Sequence, residues 1–428
     1  MENSADHLAK WGVVLKIPVI SNISVLGFAV ALAMLVPLGA AQAERYDVLY
    51  SFTGGSDGSD PFAGVIADSA GNLYGTTSQG GGSTNCIYGC GAVFKIAPDS
   101  TETVLYAFKG GSDGGYPFGG LIADSSGNLY GTTTYDGDKT NCYSIGGGCG
   151  TIFELAADGT YTVLHTFEGG SDGANPFAGL VVDASGNLYG TTAYGGGSTN
   201  CDNGCGTVFK LAPDGTEGVL YAFQGGSDGL SPTTNLVLDK KGNLYGTTES
   251  GGDTANCFNG CGTVFMVKSD GTNRTLYRFI GASDGAYPDA SLIIDRAANL
   301  YGTTEDGGGS ANCRNGCGTV FKLARDGAET VLHAFTGGSD GGYPSAGLIM
   351  DKEGDLYGTT TYGGDTADCT GGCGTAFKLA PDGTMTVLHD FNIYHATGNL
   401  LRIGHLLYGT RNGHRPHVGG GAVYSLKD

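Results

Sequence analysis

The feature that most constrains this chain is an internal repeat of about 56 residues. The string Leu-Tyr-Gly-Thr occurs seven times, and its tyrosines are separated by 56, 59, 56, 56, 56 and 51 residues. These tyrosines are Tyr74, Tyr130, Tyr189, Tyr245, Tyr301, Tyr357 and Tyr408. In a repeat protein, each copy is one supersecondary unit that buries its apolar face against its neighbours. The fold is therefore expected to consist of seven similar units.

Each copy contains four short strings that are rich in β-branched and aromatic residues, and such strings predict strands. In the first copy they end at Phe52, Asp68, Thr77 and Ile96. Gly, Asn, Asp and Pro separate them, as at 69–72, and these residues suit tight hairpin turns. Four strands linked by hairpins are typical of one antiparallel propeller blade.

The two ends of the repeat region distinguish a closed ring from an open solenoid. Residues 44–428 begin with a lone outer-type strand at 48–52, and the last copy ends after its third strand at 421–426. One strand and three strands complete a seventh blade, and ring closure also hides the sheet edges. A solenoid would need capping repeats instead. The prediction is an all-β fold, a single seven-bladed β-propeller with four antiparallel strands per blade, closed by the N-terminal strand.

The first 43 residues are interpreted as a segment outside this fold. Lys10 and Lys16 precede an uncharged apolar run at 23–38, and Ala41 and Ala43 form a small-x-small cleavage site. This pattern predicts a secretory signal peptide at 1–43 and a secreted, periplasmic or cell-surface protein. The alternative is a retained membrane anchor, because 17–43 carries no charge and is long enough to span about 30 Å.

The charge balance restricts the classes of partner. With 22 Lys and Arg against 42 Asp and Glu, the formal net charge is −20. Such a charge argues against binding nucleic acid or an anionic membrane surface. After signal cleavage we expect no membrane insertion, a monomeric protein, and a partner that is an extracellular protein or polysaccharide.

The twelve cysteines occur in six local pairs, one on each of six copies. The pairs are Cys86 and Cys90, Cys142 and Cys149, Cys201 and Cys205, Cys257 and Cys261, Cys313 and Cys317, and Cys369 and Cys373. A zinc site needs four ligands, whereas each pair stands alone without a nearby His. In an oxidising compartment these pairs predict six disulfides that hold glycine-rich loops.

Six copies also carry the string Gly-x-Ser-Asp-Gly. Its aspartates are Asp57, Asp113, Asp172, Asp228, Asp284 and Asp340. Carboxylates around one mouth of a propeller are candidate calcium ligands, since calcium prefers oxygen. The alternative is that each Asp caps its own glycine-rich turn. No other cofactor is indicated.

Six tyrosines fall on the same long connections and are candidate ligand-binding residues. They are Tyr116, Tyr135, Tyr194, Tyr287, Tyr343 and Tyr362. A tyrosine ring can stack on a sugar or anchor a protein interface. Packing beneath the loops is the alternative, and the absence of Trp after residue 43 weakens the carbohydrate interpretation.

The seventh copy departs from the pattern. It has no cysteine pair and no Gly-x-Ser-Asp-Gly string, and its long loop contains Arg411, His414, Arg415 and His417. On an acidic protein this basic loop is a candidate site for an anionic ligand, or for a metal through the two histidines. The alternative is a closing blade that merely lacks the loop-stapling residues of the other copies.

The repeated strings at 48–52, 68–77 and 91–96 resemble those of the GloVer tandem-repeat family, the bacterial choice-of-anchor repeat proteins. The resemblance covers about 44–428. It implies an exported repeat protein without catalytic residues that can be carried over. The family often ends in a sorting signal for surface attachment, and the residues 425–428 do not contain one.

These observations favour an exported, non-catalytic propeller that binds a protein or polysaccharide through its loop-rich face. An alternative is a propeller hydrolase or lyase at the channel mouth, with His414, Arg415 and His417 as the essential set. A third possibility is a purely structural envelope protein. No catalytic triad or paired catalytic carboxylate is evident in the sequence.

The cysteine pattern makes a direct prediction. Exported protein that is denatured without reductant should contain no free thiol, and reduction should release twelve. Thiol titration before and after reduction measures both values. Twelve free thiols in the unreduced sample would contradict the disulfide interpretation.

Overall fold

A computed structural model describes residues 46–137, 142, 147–364, 372–392, 395–413 and 420–428. Within these residues the chain forms seven four-stranded antiparallel sheets, which confirms the predicted seven-bladed propeller. Its helical elements are two short 3-10 turns at Gly111–Asp113 and Gly226–Asp228. In this described part, no helix has the length and apolar character needed to cross a membrane. The proposed leader at 1–43 lies outside the described residues and stays a prediction.

The strands follow the repeat from blade to blade. Strand β1 (Tyr46–Ser51) precedes blade 1, which contains β2 (Ile66–Ala67), β3 (Leu73–Thr77), β4 (Ala92–Ile96) and β5 (Glu102–Ala107). Blade 2 contains β6 (Ile122–Ala123), β7 (Leu129–Thr133), β8 (Thr151–Leu155) and β9 (Tyr161–Thr166). Blade 3 contains β10 (Val181–Val182), β11 (Leu188–Thr192), β12 (Thr207–Leu211) and β13 (Glu217–Ala222). Blade 4 contains β14 (Val237–Leu238), β15 (Leu244–Thr248), β16 (Thr263–Val267) and β17 (Asn273–Arg278).

The remaining blades have the same order. Blade 5 contains β18 (Ile293–Ile294), β19 (Leu300–Thr304), β20 (Thr319–Leu323) and β21 (Glu329–Ala334). Blade 6 contains β22 (Ile349–Met350), β23 (Leu356–Thr359), β24 (Thr375–Leu379) and β25 (Met385–Asp390). Blade 7 contains β26 (Leu401–Ile403), β27 (Leu406–Arg411) and β28 (Ala422–Lys427).

Strand β1 closes the ring by becoming the outer strand of blade 7. It pairs antiparallel with β28, with Tyr46 opposite Leu426 and Ser51 opposite Ala422. A buried hydroxyl also crosses the junction, because Thr410 Oγ1 donates to the Ala63 carbonyl at 2.9 Å. The closure predicted from the two ends of the repeat region is thus confirmed.

The apolar core lies between neighbouring blades. One cluster joins Val423 of blade 7 to Leu73 and Phe94 of blade 1. Phe94 folds over Gly75, where an added Cβ would lie 2.6 Å from its Cζ. The glycine of Leu-Tyr-Gly-Thr is therefore required, since any side chain there would displace a core aromatic ring.

The two faces of the ring carry different connections. The turns β2–β3 and β4–β5, with their equivalents in the other blades, lie on one side, which we call the short-turn face. On the first of these turns, Asp68 accepts hydrogen bonds from the Asn72 amide groups and the Tyr74 hydroxyl, which explains why this string repeats. The cysteine loops and the links between blades lie on the opposite, loop-rich face.

The hydroxyl that crosses the closing junction can be tested by substitution. Thr410→Val keeps the shape but leaves the Ala63 carbonyl without its donor, which should lower the free energy of unfolding by about 1 kcal/mol. Chemical denaturation of the oxidised protein measures this change. Thr386→Val, on the exposed side of outer strand β25, is the control and should change stability by less than about 0.5 kcal/mol. Equal effects of the two substitutions would contradict the role of this bond in closure.

Candidate functional site

The repeated aspartates accept hydrogen bonds mainly from residues shortly before them in the chain, and Asp228 also accepts one from Asn273 of blade 4. Asp113 accepts from the Tyr106 hydroxyl at 2.6 Å and from the Lys109 backbone amide at 2.8 Å. Asp340 has the same arrangement, with the His333 ring in place of the tyrosine. These bonds fit the turn-capping interpretation. Among the described residues, these aspartates do not gather into one cluster of possible metal ligands, and calcium binding stays a prediction.

Five of the six predicted disulfides are present. They join Cys86 to Cys90, Cys142 to Cys149, Cys201 to Cys205, Cys257 to Cys261, and Cys313 to Cys317. The sixth pair includes Cys369, which lies outside the described residues. The first disulfide packs against Gly110 of the link that follows it, where an added Cβ would lie 3.0 Å from both sulfurs. The disulfides of blades 3, 4 and 5 lie in the same way against Gly225, Gly281 and Gly337, so these staples support the neighbouring link as well as their own loop.

The predicted tyrosines lie on the loop-rich face, and several hydroxyls have structural partners. Tyr116, at φ 57°, donates to the Ile87 carbonyl in the cysteine loop at 2.7 Å. Tyr287 donates in the same way to the Phe258 carbonyl at 3.3 Å. These bonds hold the cysteine loops and agree with the packing alternative. Ligand binding by the rings of these tyrosines stays a prediction.

Tyr343 has the same positive φ as Tyr116 and Tyr287. The other three tyrosines, Tyr135, Tyr194 and Tyr362, occupy the equivalent position after β7, β11 and β23. Tyr135 meets the edge of Tyr116 with ring centroids 5.6 Å apart. Tyr362 meets Tyr343 at 5.3 Å and is 42% exposed. Tyr194 is half-buried. Of the three, Tyr362 therefore offers the most ring surface to solvent.

The basic loop of blade 7 is described only in part. Arg411 ends strand β27 and is half-buried. Burial raises the pKa of Tyr46 and Tyr424, and the positive charge of the Arg411 guanidinium opposes part of this increase. His414, Arg415 and His417 lie outside the described residues, and their role stays a prediction.

Two basic residues upstream of this loop lie elsewhere. Arg402 and His405 flank the β26–β27 turn, which is on the short-turn face. Arg402 Nε donates to Asp428 Oδ2 at 2.8 Å, and His405 Nδ1 lies 3.5 Å from Asp428 Oδ1. These groups therefore fasten the C-terminal residue and do not join the loop-rich face.

The structure brings together a group that sequence reasoning missed, at the mouth of the central channel. One residue from each blade lines this mouth around a cavity of about 200 Å³. In blade order these residues are Phe62, Phe118, Phe177, Thr233, Asp289, Ser345 and Thr397. Each precedes an inner strand, so the side chains lie at the loop-rich end of the channel. The ring is aromatic in blades 1 to 3 and polar in blades 4 to 7.

The aromatic half forms a continuous cluster. Phe62 meets the edge of Phe118 with ring centroids 5.5 Å apart, and Phe118 lies 5.8 Å from Phe177. Tyr135 packs behind them, 6.3 Å from Phe118 and 6.1 Å from Phe177. Phe62 is 44% exposed, so the cluster presents an apolar surface at the mouth.

The polar half contains the carboxylate of Asp289, and the carboxylates of Glu249 and Glu305 lie outside the lining but close enough to repel it. Asp289 is surrounded by protein except toward the channel, and burial followed by the charge of Glu249 raises its pKa to about 7. Thr233 Oγ1 donates to Asp289 Oδ1 at 2.8 Å, which opposes part of that shift. Burial also raises the pKa of Glu249 and Glu305. Among the described residues, no lysine or arginine pairs with any of the three.

A signal for this group exists in the sequence once the copies are aligned. The link between blades contains a proline, and the residue that follows this proline is Phe in three copies and Asp in the fifth. The position after Leu-Tyr-Gly-Thr-Thr is Glu249 and Glu305 in the fourth and fifth copies, against Ser78 or Thr134 in the first two. Departures from a repeat are more informative here than the repeated residues, because they mark where the ring loses its symmetry.

The repeat unit also identifies the family. A profile of the Gloeobacter/Verrucomicrobia repeat matches residues 39–258 and 198–424. The chain belongs to this repeat family. The resemblance found in the repeated strings is thereby confirmed. No curated protein matches the sequence.

Solved structures share the fold at low identity. The extracellular domain of a one-component system from B. thetaiotaomicron has 12% identity and a TM-score of 0.54, over 90% of this chain and 40% of that one. A puromycin hydrolase has 13% identity and a TM-score of 0.50, over 82% and 50%. A gluconolactonase from Xanthomonas campestris has 14% identity and a TM-score of 0.42, over 90% and 89%. At 12% and 13% identity, the first two structures show that the fold is shared and nothing about function.

The raised pKa of Asp289 predicts a pH-dependent stability. A carboxyl whose pKa is higher in the folded protein favours folding at low pH, and this contribution is lost as the pH rises from about 4 to 7. Asp289→Asn keeps the acceptor for Thr233 and removes the charge. It should raise the free energy of unfolding by at least about 1 kcal/mol at pH 8 and change it little at pH 4.

Urea denaturation at both pH values measures this difference. Asp99→Asn is a suitable control, because hydrogen bonds from Thr101 lower the pKa of Asp99. The control should therefore not stabilise the protein at pH 8. Equal stability changes at pH 4 and pH 8 for Asp289→Asn would contradict the assignment.

Proposed function

We propose that this protein is an exported binding propeller whose ligand is a polysaccharide that bears hydroxyl or amino groups. The observation that supports this function best is the divided channel mouth, with phenylalanines on one side and Asp289 among hydroxyl side chains on the other. Binding residues are often carried on loops that a rigid scaffold positions. Here the scaffold is the closed ring, and the residues that line its mouth differ from blade to blade.

The two halves suit different parts of a sugar residue. A pyranose ring has an apolar face of C–H groups that can pack against Phe62 and Phe118, where aromatic rings offer a large surface. Its hydroxyl groups are donors, and the Asp289 carboxylate with the hydroxyl oxygens of Thr233 and Ser345 provides acceptors. An amino sugar would add an ammonium group, which this carboxylate attracts and an aromatic face tolerates.

The shape of the mouth favours a ligand that lies across it. Neighbouring inner strands pack so closely that an added Cβ on Gly64 would lie 2.2 Å from the Asn399 carbonyl oxygen. At the boundary between blades 2 and 3, a Cβ added to Gly119 would lie 2.6 Å from the Ala178 carbonyl oxygen. A polymer therefore cannot pass between the inner strands at these boundaries. It can rest on the mouth, with the ring of Tyr135 supporting the aromatic half from behind.

Export of the protein fits the same interpretation. Five disulfides are typical of an oxidising compartment. The signal pattern at 1–43 would deliver the chain there. The net charge of −20 makes a neutral or cationic polysaccharide a more suitable partner than an anionic one.

A second candidate function rests on Asp289 itself. With a pKa of about 7, its carboxyl group is partly protonated near neutral pH and can serve as a general acid. Glu249 and Glu305 are nearby candidates for the base. This arrangement supports a propeller hydrolase or lyase that acts at the channel mouth. Release of reducing ends or unsaturated products from a bound polysaccharide, abolished in Asp289→Asn, would favour the enzyme over the binding protein.

The binding proposal is tested by affinity for soluble polysaccharides. Neutral and aminated polysaccharides, cellulose derivatives and chitosan among them, are compared by affinity electrophoresis and calorimetry. Phe62→Ala and Asp289→Asn should each weaken binding at least tenfold, because one removes the stacking surface and the other a charged acceptor. Phe258→Ala is the matched control, since this phenylalanine is 86% exposed on a cysteine loop outside the lining of the mouth.

The outcomes separate the alternatives. Loss of binding in the two mouth variants, with unchanged binding in Phe258→Ala, supports the proposed site. Saturable binding that none of the variants affects would move the site to the tyrosine-bearing loops or to the blade 7 loop. Absence of binding to every polysaccharide tested would refute the polysaccharide function.

A further inference from the structure

A second and larger cavity lies on the short-turn face, between blades 4 and 5. Its volume is about 810 Å³. Apolar side chains form its floor, and these include Leu238, Leu276, Ile294, Leu300 and Leu323. Five cationic residues also line it, namely Lys240, Lys241, Arg274, Arg296 and Arg325. The cavity is thus apolar below and basic around its edge.

This concentration of positive charge is unusual for the chain. The whole sequence has 22 lysines and arginines and a net charge of −20, yet five of these cations surround one cavity. All five are exposed, and no ion pair engages any of them within the described residues. Their charge is therefore available to a ligand.

The two carboxylates in the lining do not cancel this charge by pairing with it. Asp239 Oδ1 accepts from the backbone amides of Lys241 and Asn243, and its Oδ2 accepts from the Asn243 side chain. Asp295 makes the equivalent bonds in the next blade. These hydrogen bonds belong to the repeated turn and lower the pKa of both aspartates against the effect of burial.

The basic edge arises where this pair of blades departs from the repeat. Blades 1 and 2 have small neutral residues at all five equivalent positions. Those residues are Ser69, Ala70, Thr103, Ser125 and Ala157. Blade 4 also has Met266 where blade 5 has Lys322, whose ammonium lies 5.7 Å from the Tyr301 ring centroid. Met266 therefore adds apolar surface beside Tyr245 at a position where blades 1, 2, 3, 5 and 6 have a charged residue.

Backbone strain occurs at the same place. The repeated turn has glycine in the left-handed region at Gly71, Gly127 and Gly242, whereas blade 5 has Ala298 at φ 65°. A non-glycine residue is uncommon in this conformation and carries a steric cost. Ala298 is part of the cavity lining, and its methyl group adds to the apolar surface there.

We infer that this cavity binds a small amphiphilic organic anion, meaning a carboxylate, sulfonate or phosphate attached to an apolar body. A volume of about 810 Å³ falls within the usual range for small-molecule sites, and such sites are mostly apolar with a few polar groups that orient the ligand. The apolar body would lie on the leucine and isoleucine floor. Arginine and lysine at the edge would hold the anionic group through charge-assisted hydrogen bonds.

The charge of the whole protein indicates a soluble ligand and not a membrane lipid. A surface of net charge −20 is repelled by an anionic bilayer, whereas a small anion can enter the local positive field. The site is also separate from the channel mouth, which is acidic and lies on the opposite face. The two sites therefore suit ligands of different classes, a neutral or cationic polysaccharide at the mouth and an anion in this cavity.

The experiment uses the full exported protein and the fluorescent anion 8-anilinonaphthalene-1-sulfonate, with decanoate as a competitor. In the cavity variant, Lys241→Ser, Arg274→Thr and Arg296→Ser are combined, because the repeat has Ser or Thr at these positions in blade 2. In the control variant, Lys109→Gln, Arg314→Thr and Lys352→Ser remove three positive charges outside the cavity. Thermal unfolding of both variants checks that the propeller stays folded.

The wild type and the control should bind the probe saturably with similar Kd, and decanoate should displace it. In the cavity variant the Kd should rise at least tenfold. An equal loss in both variants would show a general charge effect and overturn the site. Absence of saturable binding to the wild type would also overturn it. Binding of the wild type to phosphatidylglycerol vesicles, with no affinity for the free anions, would replace the soluble ligand by a lipid surface and refute the proposal.

Discussion

The structure depends on one aromatic contact that is repeated around the ring. A phenylalanine that follows the outer strand of each blade meets the central aromatic residue of the next blade, with ring centroids between 5.0 and 5.3 Å apart. The pair formed by Phe52 and Phe94 joins blade 7 to blade 1 and completes the ring. Edge-to-face pairs of this kind contribute beyond the area they bury. Every blade makes the same contact on both sides, so each blade packs its central aromatic residue against a neighbour.

This contact determines what the remaining residues can do. The central ring needs the glycine of Leu-Tyr-Gly-Thr beneath it, as Phe94 needs Gly75. The threonine that follows is then free to bond the inner strand of the next blade, as Thr132 does with the Ala178 carbonyl at 2.8 Å. Structural demand therefore accounts for most of the repeated residues. Positions that vary between copies are the ones left for ligands, which explains why the charged groups of both proposed sites are departures from the repeat.

Much of the fold follows from the sequence, but less of the candidate site does. The strings around Tyr74 and Phe94 predict strands and a blade count, and β1 pairs with β28 as the chain ends suggest. The cysteine pairs predict disulfides for a local reason, since Cys86 and Cys90 are four residues apart. The sequence does not single out Asp289, Glu249 and Glu305, because each is one acidic residue among many. Only alignment of the copies shows that they depart from the repeat.

The sequence by itself determined the seven-bladed ring, its closure and the local staples, because those features depend on short strings and on spacing along the chain. Only the tertiary structure decided that Phe62 and Phe118 meet across a blade boundary and that Asp289 faces the same mouth. It also decided that the cations of blades 4 and 5 surround one cavity. The physical reason is ring closure, which places residues from different copies side by side at distances that no local pattern encodes.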